Sequence, residues 1–185
     1  MKDTEQISLV EEFLSQFDLY VERLSPKKYP NRKIPDFKIT NNDGTSIFCE
    51  VKSLQLNLDP KLKCYKHVTT MGKISQHIHG SVKQFNSFNL NHNVPNTLIW
   101  TSDHFQLNYS NLIASLTGML SDGKNIYRNF NDLDFCGRIK NDFKIIDLHI
   151  WLQINSNGIY DTKYIYTTAN KDFRNIFFNI FNHQA

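Results

Sequence analysis

Asp36, Glu50 and Lys52 are the residues of this chain whose types and spacing suit chemistry: two carboxylates and an ammonium on segments that a short β-hairpin would bring together. Two carboxylates held close repel unless something positive lies between them. Hard divalent ions that prefer oxygen, Mg²⁺ first and Mn²⁺ as its substitute, meet that need. Lys52, one strand period beyond Glu50, would stand beside the pair as an ammonium able to orient a water or to neutralise charge developing on a phosphorane. The expected chemistry is metal-assisted hydrolysis of a phosphodiester.

The hairpin is legible in the pattern. Residues 35–40 (PDFKIT) alternate, with Phe37 and Ile39 on one face and Asp36, Lys38 and Thr40 on the other. Residues 41–44 (NNDG) are turn chemistry, since Asn, Asp and Gly tolerate positive φ. Residues 46–53 (SIFCEVKS) alternate again, which puts Ile47, Cys49 and Val51 on one face and Phe48, Glu50 and Lys52 on the other. Folding the strands about Asn42 and Asp43 sets Asp36 opposite Cys49 or Glu50, and the parity of the apolar residues favours Glu50. Opposed Cβ atoms in such a pair lie roughly 5 Å apart. That suits shared oxygen ligation at about 2.1 Å. Taken singly, Asp36, Glu50 and Lys52 would each serve as ordinary surface residues; the argument rests on their combination with the turn and the alternation.

PD, a turn and EVK resemble the core of the PD-(D/E)XK nuclease superfamily, the fold of many restriction enzymes, junction resolvases and RecB-type exonucleases. The clear match spans residues 35–52, with weaker similarity over about 3–100. The resemblance implies that Asp36 and Glu50 bind Mg²⁺, that the Val51 backbone carbonyl joins them, and that Lys52 assists the attacking water. In the superfamily an acidic residue of the opening helix often completes the metal shell. Glu11 is the candidate here because it borders the apolar stripe; the other reading makes Glu11 and Glu12 a solvated helix face. The segment VKQFNSF is similar to the helix that follows the catalytic strand in many members, where a Gln or Lys points back to the site. Lys83 and Gln84 are therefore candidates for substrate or water contacts, against exposed helix polarity. RecB-type members carry Gln-x-x-x-Tyr there, where this chain has Gln84 and Phe88.

The positioning elements follow from periodicity. Residues 3–17 form an amphipathic helix with Ile7, Val10, Phe13, Leu14 and Phe17 in a stripe, and Asp3 with Gln6 resembles a capping box. A strand is expected over 18–24, then a basic loop, 27–33. Beyond the EVK strand, residues 54–72 make a long polar stretch in which Lys61, Lys63 and Lys66 either contact phosphates beside the site or are solvated. Residues 73–88 read as a helix and 96–101 as a buried strand, completing a helix, three strands, helix, strand order. The second half reads as a helix over 109–120 ended by Asp122 and Gly123, a strand over 144–155, a turn, a partner strand over 163–168 and a closing helix over 171–181. The fold class is α/β: a restriction endonuclease-like core, about 3–101, with a central mixed sheet flanked by helices, and a C-terminal extension, 102–185, in one domain.

Composition limits the alternatives. The chain has 185 residues, 40% hydrophobic and 13% aromatic, enough for one substantial core. A formal charge of +3 permits nucleic-acid binding without requiring it. Cys49, Cys64 and Cys136 lack zinc-site spacing and are odd in number, which suits a reducing cytoplasm. His77 and His79, at i and i+2, point in different directions and read as exposed. No apolar run approaches membrane-spanning length and no signal peptide is evident, so no membrane partner is expected.

The expected function is a Mg²⁺-dependent nuclease acting on nucleic acid, DNA favoured over RNA, most simply an endonuclease. A homodimer is among the assemblies the resemblance implies. The alternative is a non-catalytic module that binds nucleic acid or protein on the same scaffold. A third reading, an unrelated α/β protein with an accidental hairpin match, requires a different element order.

Overall fold

In the computed structural model, residues 3–55, 67–121, 125–128, 141–142 and 144–181 are described. Lys61, Lys63, Lys66, Cys64 and Cys136 lie outside them. Helix α1 (Asp3–Ser15) leads into strands β1 (Tyr20–Arg23), β2 (Phe37–Thr40) and β3 (Ser46–Leu54). Helix α2 (His67–Phe88) connects β3 to β4 (Asn96–Ser102), and α3 (Tyr109–Thr117) follows. Strands β5 (Met119–Ser121) and β6 (Ile126–Arg128), β7 (Leu148–Asn155) and β8 (Gly158–Tyr166), and helix α4 (Lys171–Phe181) complete the described elements.

Six strands form one mixed sheet in the order β1-β2-β3-β4-β7-β8. The first three pair antiparallel, β3, β4 and β7 run parallel, and β8 returns antiparallel along β7. β7 and β8 thus enlarge the same sheet, while β5 and β6 form a separate two-stranded ribbon. Every residue of β4 is buried, as expected of a parallel strand covered on both faces.

The alternation along β3 divides the core into two layers. Ile47, Cys49 and Val51 join Val10, Phe13 and Leu14 of α1 and Phe177, Ile180 and Phe181 of α4 on one face. Phe48 and Leu54 join Ile74, Ile78, Val82 and Phe85 of α2, with Leu112 of α3, on the other. Glu50 and Lys52 share the parity of Phe48 and Leu54, so they face the α2 layer.

Several boundaries differ from the sequence reading. α2 begins at His67, six residues before the expected 73, because Thr70 and Met71 are buried in the layer beneath it. α3 stops at Thr117, since Gly118 adopts φ 70° and its N–H caps the Ala114 carbonyl at 2.8 Å. β8 begins at Gly158, whose φ of 112° lets the chain reverse after Ser156 and Asn157. β7 begins at Leu148 because residues up to Ile146 turn back onto Asp142.

His149 is wholly buried between the sheet and the α2 layer, stacked on Trp100, and its Nδ1 accepts from Trp100 Nε1 at 3.1 Å. Burial pushes its pKa down from the usual 6.5 to about 3. The folded protein therefore keeps this imidazole neutral while the unfolded chain protonates it, so its contribution to stability is whole above pH 6.5 and is lost as pH falls toward 3. His149→Phe is expected to flatten the loss of stability between pH 6.5 and 4 by up to about 1.4 kcal/mol per pH unit, measured by urea melts against the wild type.

Candidate active site

The site is built by the β2–β3 hairpin. Its register pairs Phe37 with Cys49 and Ile39 with Ile47, closed by a turn in which Thr45 N–H donates to Asn41 Oδ1 at 2.9 Å and Gly44 has φ 86°. Continued one step, that register sets Asp36 opposite Glu50. Beyond it the ladder cannot continue, because the next residue of the β2 segment is Pro35, which has no N–H. Asp36 takes over there: its Oδ2 accepts the Val51 N–H at 2.8 Å. A strand residue presents its N–H and C=O to the same neighbour. The Val51 carbonyl is therefore directed to the same edge, where proline offers it no donor.

Glu50 is only 2% exposed. Its Oε1 receives the Lys52 ammonium, and its Oε2 is buried without a hydrogen-bond partner among the described residues. Burial, and then the negative charge of Asp36, push the Glu50 pKa up to about 7, although Lys52 and Gln84 pull the other way. Asp36 is also raised, chiefly by burial, against the opposing effects of the Val51 N–H, the Lys52 charge, hydrogen bonding with the Glu50 carboxyl and the Arg23 charge. Burial thus favours a proton or a cation on the pair, even with Lys52 in place.

The helix behind the hairpin contributes one polar bridge. Gln84 Oε1 accepts from Lys52 Nζ at 3.4 Å, and Gln84 Nε2 donates to the Ile34 carbonyl at 3.2 Å. Lys83 is exposed, about 100° around the helix from Gln84, and shares none of these bonds.

Glu11 lies on α1, whose buried stripe packs against the face that carries Ile47, Cys49 and Val51, opposite to Glu50. No group of three or more His, Cys, Asp or Glu side chains suited to a metal ion occurs among the described residues, so Glu11 is not brought into the Asp36–Glu50 pair. His77 departs from its reading as exposed. It is half-buried, edge-on to Trp100 at 6.2 Å between ring centres, and Trp100 is the register partner of Lys52. Burial, then the Lys52 and Lys73 charges, hold its imidazole toward the neutral form. Helical spacing from Gln84 was the available signal: seven residues are two turns, so both side chains share a face.

Two acceptors from carboxylates, one unpartnered and buried, and a backbone carbonyl at the same edge form a donor set of hard oxygens. That set fits Mg²⁺ or Mn²⁺ better than softer ions. The raised pKa of Glu50 gives a test independent of turnover. The protonated acid is favoured in the fold, so stability is whole below pH 4.5 and is lost as pH rises through about 7. In metal-free protein at pH 8, Glu50→Gln is expected to raise Tm by about 5 °C. At pH 4.5 the gain should vanish, and Mg²⁺ should raise the Tm of the wild type but not of the variant, as read by scanning calorimetry. No protein-family model, no curated protein and no solved structure matches the chain.

Proposed function

We propose that the chain is a metal-dependent nuclease with a restriction endonuclease-like core of the PD-(D/E)XK type, and that DNA is its substrate. The observation that carries this reading is the buried, unpartnered Glu50 Oε2 beside Asp36, two acids raised above their ordinary pKa by burial. Asp36, Glu50 and the Val51 carbonyl would hold the ion. When bound, Mg²⁺ supplies a water of lowered pKa and a positive charge for the phosphate.

The remaining work falls to this chain's own groups. Lys52 donates toward the attacking water and holds it in line with the phosphorus. Its charge also offsets the negative charge that grows on the phosphoryl oxygens. Gln84 keeps the ammonium from swinging away by accepting one of its hydrogens. Water oxygen bonds to phosphorus as the bond to the 3′ oxygen breaks; the proton lost by the water passes to solvent and the 3′ oxygen takes one up, which leaves a 5′-phosphate and a 3′-hydroxyl. Asp36, fixed by the Val51 N–H, keeps one oxygen oriented toward the shared edge.

The non-catalytic scaffold differs in one outcome, retention of binding without scission. Purified protein is to be incubated with plasmid, linear duplex, single-stranded DNA and RNA in Mg²⁺, Mn²⁺ or EDTA, beside Asp36→Ala and Lys52→Ala. Cleavage of DNA by the wild type is expected, abolished by EDTA and reduced at least about 100-fold in either variant. Binding with no strand broken in either metal would defeat the proposal.

A further inference from the structure

The segment from Ser25 to Pro35 carries Lys27, Lys28, Arg32 and Lys33 and no acidic residue. All four cations are exposed. Lys28 is paired with Glu22 at 2.8 Å, whereas Lys27, Arg32 and Lys33 have no ion-pair partner among the described residues. Four exposed charges on a floppy loop would say little. This loop is built.

Two successive turns shape it, with Lys28 N–H donating to the Ser25 carbonyl at 2.9 Å and Arg32 N–H to the Tyr29 carbonyl at 3.4 Å. Pro26 and Pro30 restrict φ, and Asn31, next after Pro30, takes the left-handed conformation at φ 65° within the second turn. Three anchors then fix the loop to the C-terminal half of α2. The Tyr29 ring meets Phe88 edge-on at 5.0 Å, the Lys33 N–H donates to Ser87 Oγ at 3.2 Å, and the Ile34 carbonyl accepts from Gln84 Nε2. The same Gln84 accepts from Lys52. One side chain therefore joins the root of the basic loop to the ammonium beside the carboxylate pair.

We propose that this loop is the phosphate-backbone clamp of the site: Lys27, Arg32 and Lys33 hold a nucleic-acid strand, and the Gln84 bridge registers that strand so that a phosphodiester meets Asp36 and Glu50. The inference rests on the nuclease reading for its orientation, although the binding itself does not require cleavage. A polyanion is the occupant that the charges select, because Lys27, Arg32 and Lys33 have no ion-pair partner among the described residues and Lys33 precedes Asp36 by three residues. A lipid surface is disfavoured by the aromatic of the loop, since Tyr29 is turned inward onto Phe88 and no ring is left to enter a bilayer interface. A pinned loop loses little conformational freedom on binding, so its charges act as a preorganised array.

The test uses the full chain in EDTA, where no strand is cut. Binding of a fluorescein-labelled 20-bp DNA duplex is followed by anisotropy from about 50 to 300 mM KCl, for the wild type and for the triple variant Lys27→Gln/Arg32→Gln/Lys33→Gln. A second triple variant, Lys144→Gln/Lys163→Gln/Lys171→Gln, removes exposed charge near the far edge of the sheet. Each phosphate contact contributes about 0.9 to the slope of log K against log salt. The loop variant should lose about 2.7 from that slope and bind at least about tenfold more weakly at low salt, with the second variant within about twofold of wild type. Circular dichroism checks that both variants fold. Equal losses in the two variants, absence of duplex binding by the wild type, or loop-dependent binding to phosphatidylserine vesicles without binding to DNA would each overturn the proposal. Loop-dependent DNA binding by a protein that never cleaves in Mg²⁺ or Mn²⁺ would uphold the clamp and sink the nuclease reading.

Discussion

A proline cannot donate a hydrogen bond, and much of the site follows from where that limit falls in the β2–β3 ladder. With Pro35 at the ladder position beyond Asp36, the antiparallel register ends at Phe37 and Cys49 while β3 runs on to Leu54. Asp36 fills the vacancy on the donor side by accepting the Val51 N–H, which fixes the carboxylate in place without an enclosing loop. On the acceptor side Pro35 has no N–H to offer the Val51 carbonyl. A local defect in a sheet thereby yields a fixed carboxylate, a carbonyl facing a proline and, on the adjacent residue, Glu50.

Placing Glu50 there has an electrostatic cost. A carboxylate on the covered face of a central strand loses its hydration, and its neighbour across the strands bears the same charge. Lys52 offsets part of this, through one oxygen only. The other oxygen is enclosed and unmatched, a condition that natural interiors tolerate rarely and chiefly where a site needs it. The layers on either side make this tolerable. α1 and α4 cover one face and α2 the other, so the sheet does not rely on the polar pair for cohesion.

The hairpin was readable because period, turn and parity are local properties, and Asp36, Glu50 and Lys52 lie within a span governed by them. The order of helix and strand through β4 was readable for the same reason. What escaped was set by tertiary packing. The first two turns of α2 contain Thr69, Thr70 and Gly72, poor helix formers that are helical because Met71 is buried beneath them. The end of α3 was placed too late because Met119 and Leu120 continue the apolar stripe, while Gly118 already supplies the stop. Lys83 and Gln84 looked equivalent as neighbours in sequence, but a helix separates adjacent side chains by about 100°, and only one can reach Lys52. His77 differs from its sequence reading because it shares a helix face with Gln84, two turns along, and that face packs on Trp100. The β5–β6 ribbon had no signal long enough to read.

The chain has two tryptophans, Trp100 and Trp151, and both are enclosed beneath α2 with ring centres 6.4 Å apart. Trp100 lies beside Lys52 in the parallel register and touches the rings of both His77 and His149. The near-ultraviolet emission of the protein therefore originates in one small region adjoining the acidic pair. Indole emission is therefore a readout of the packing and charge around Lys52, His77 and His149.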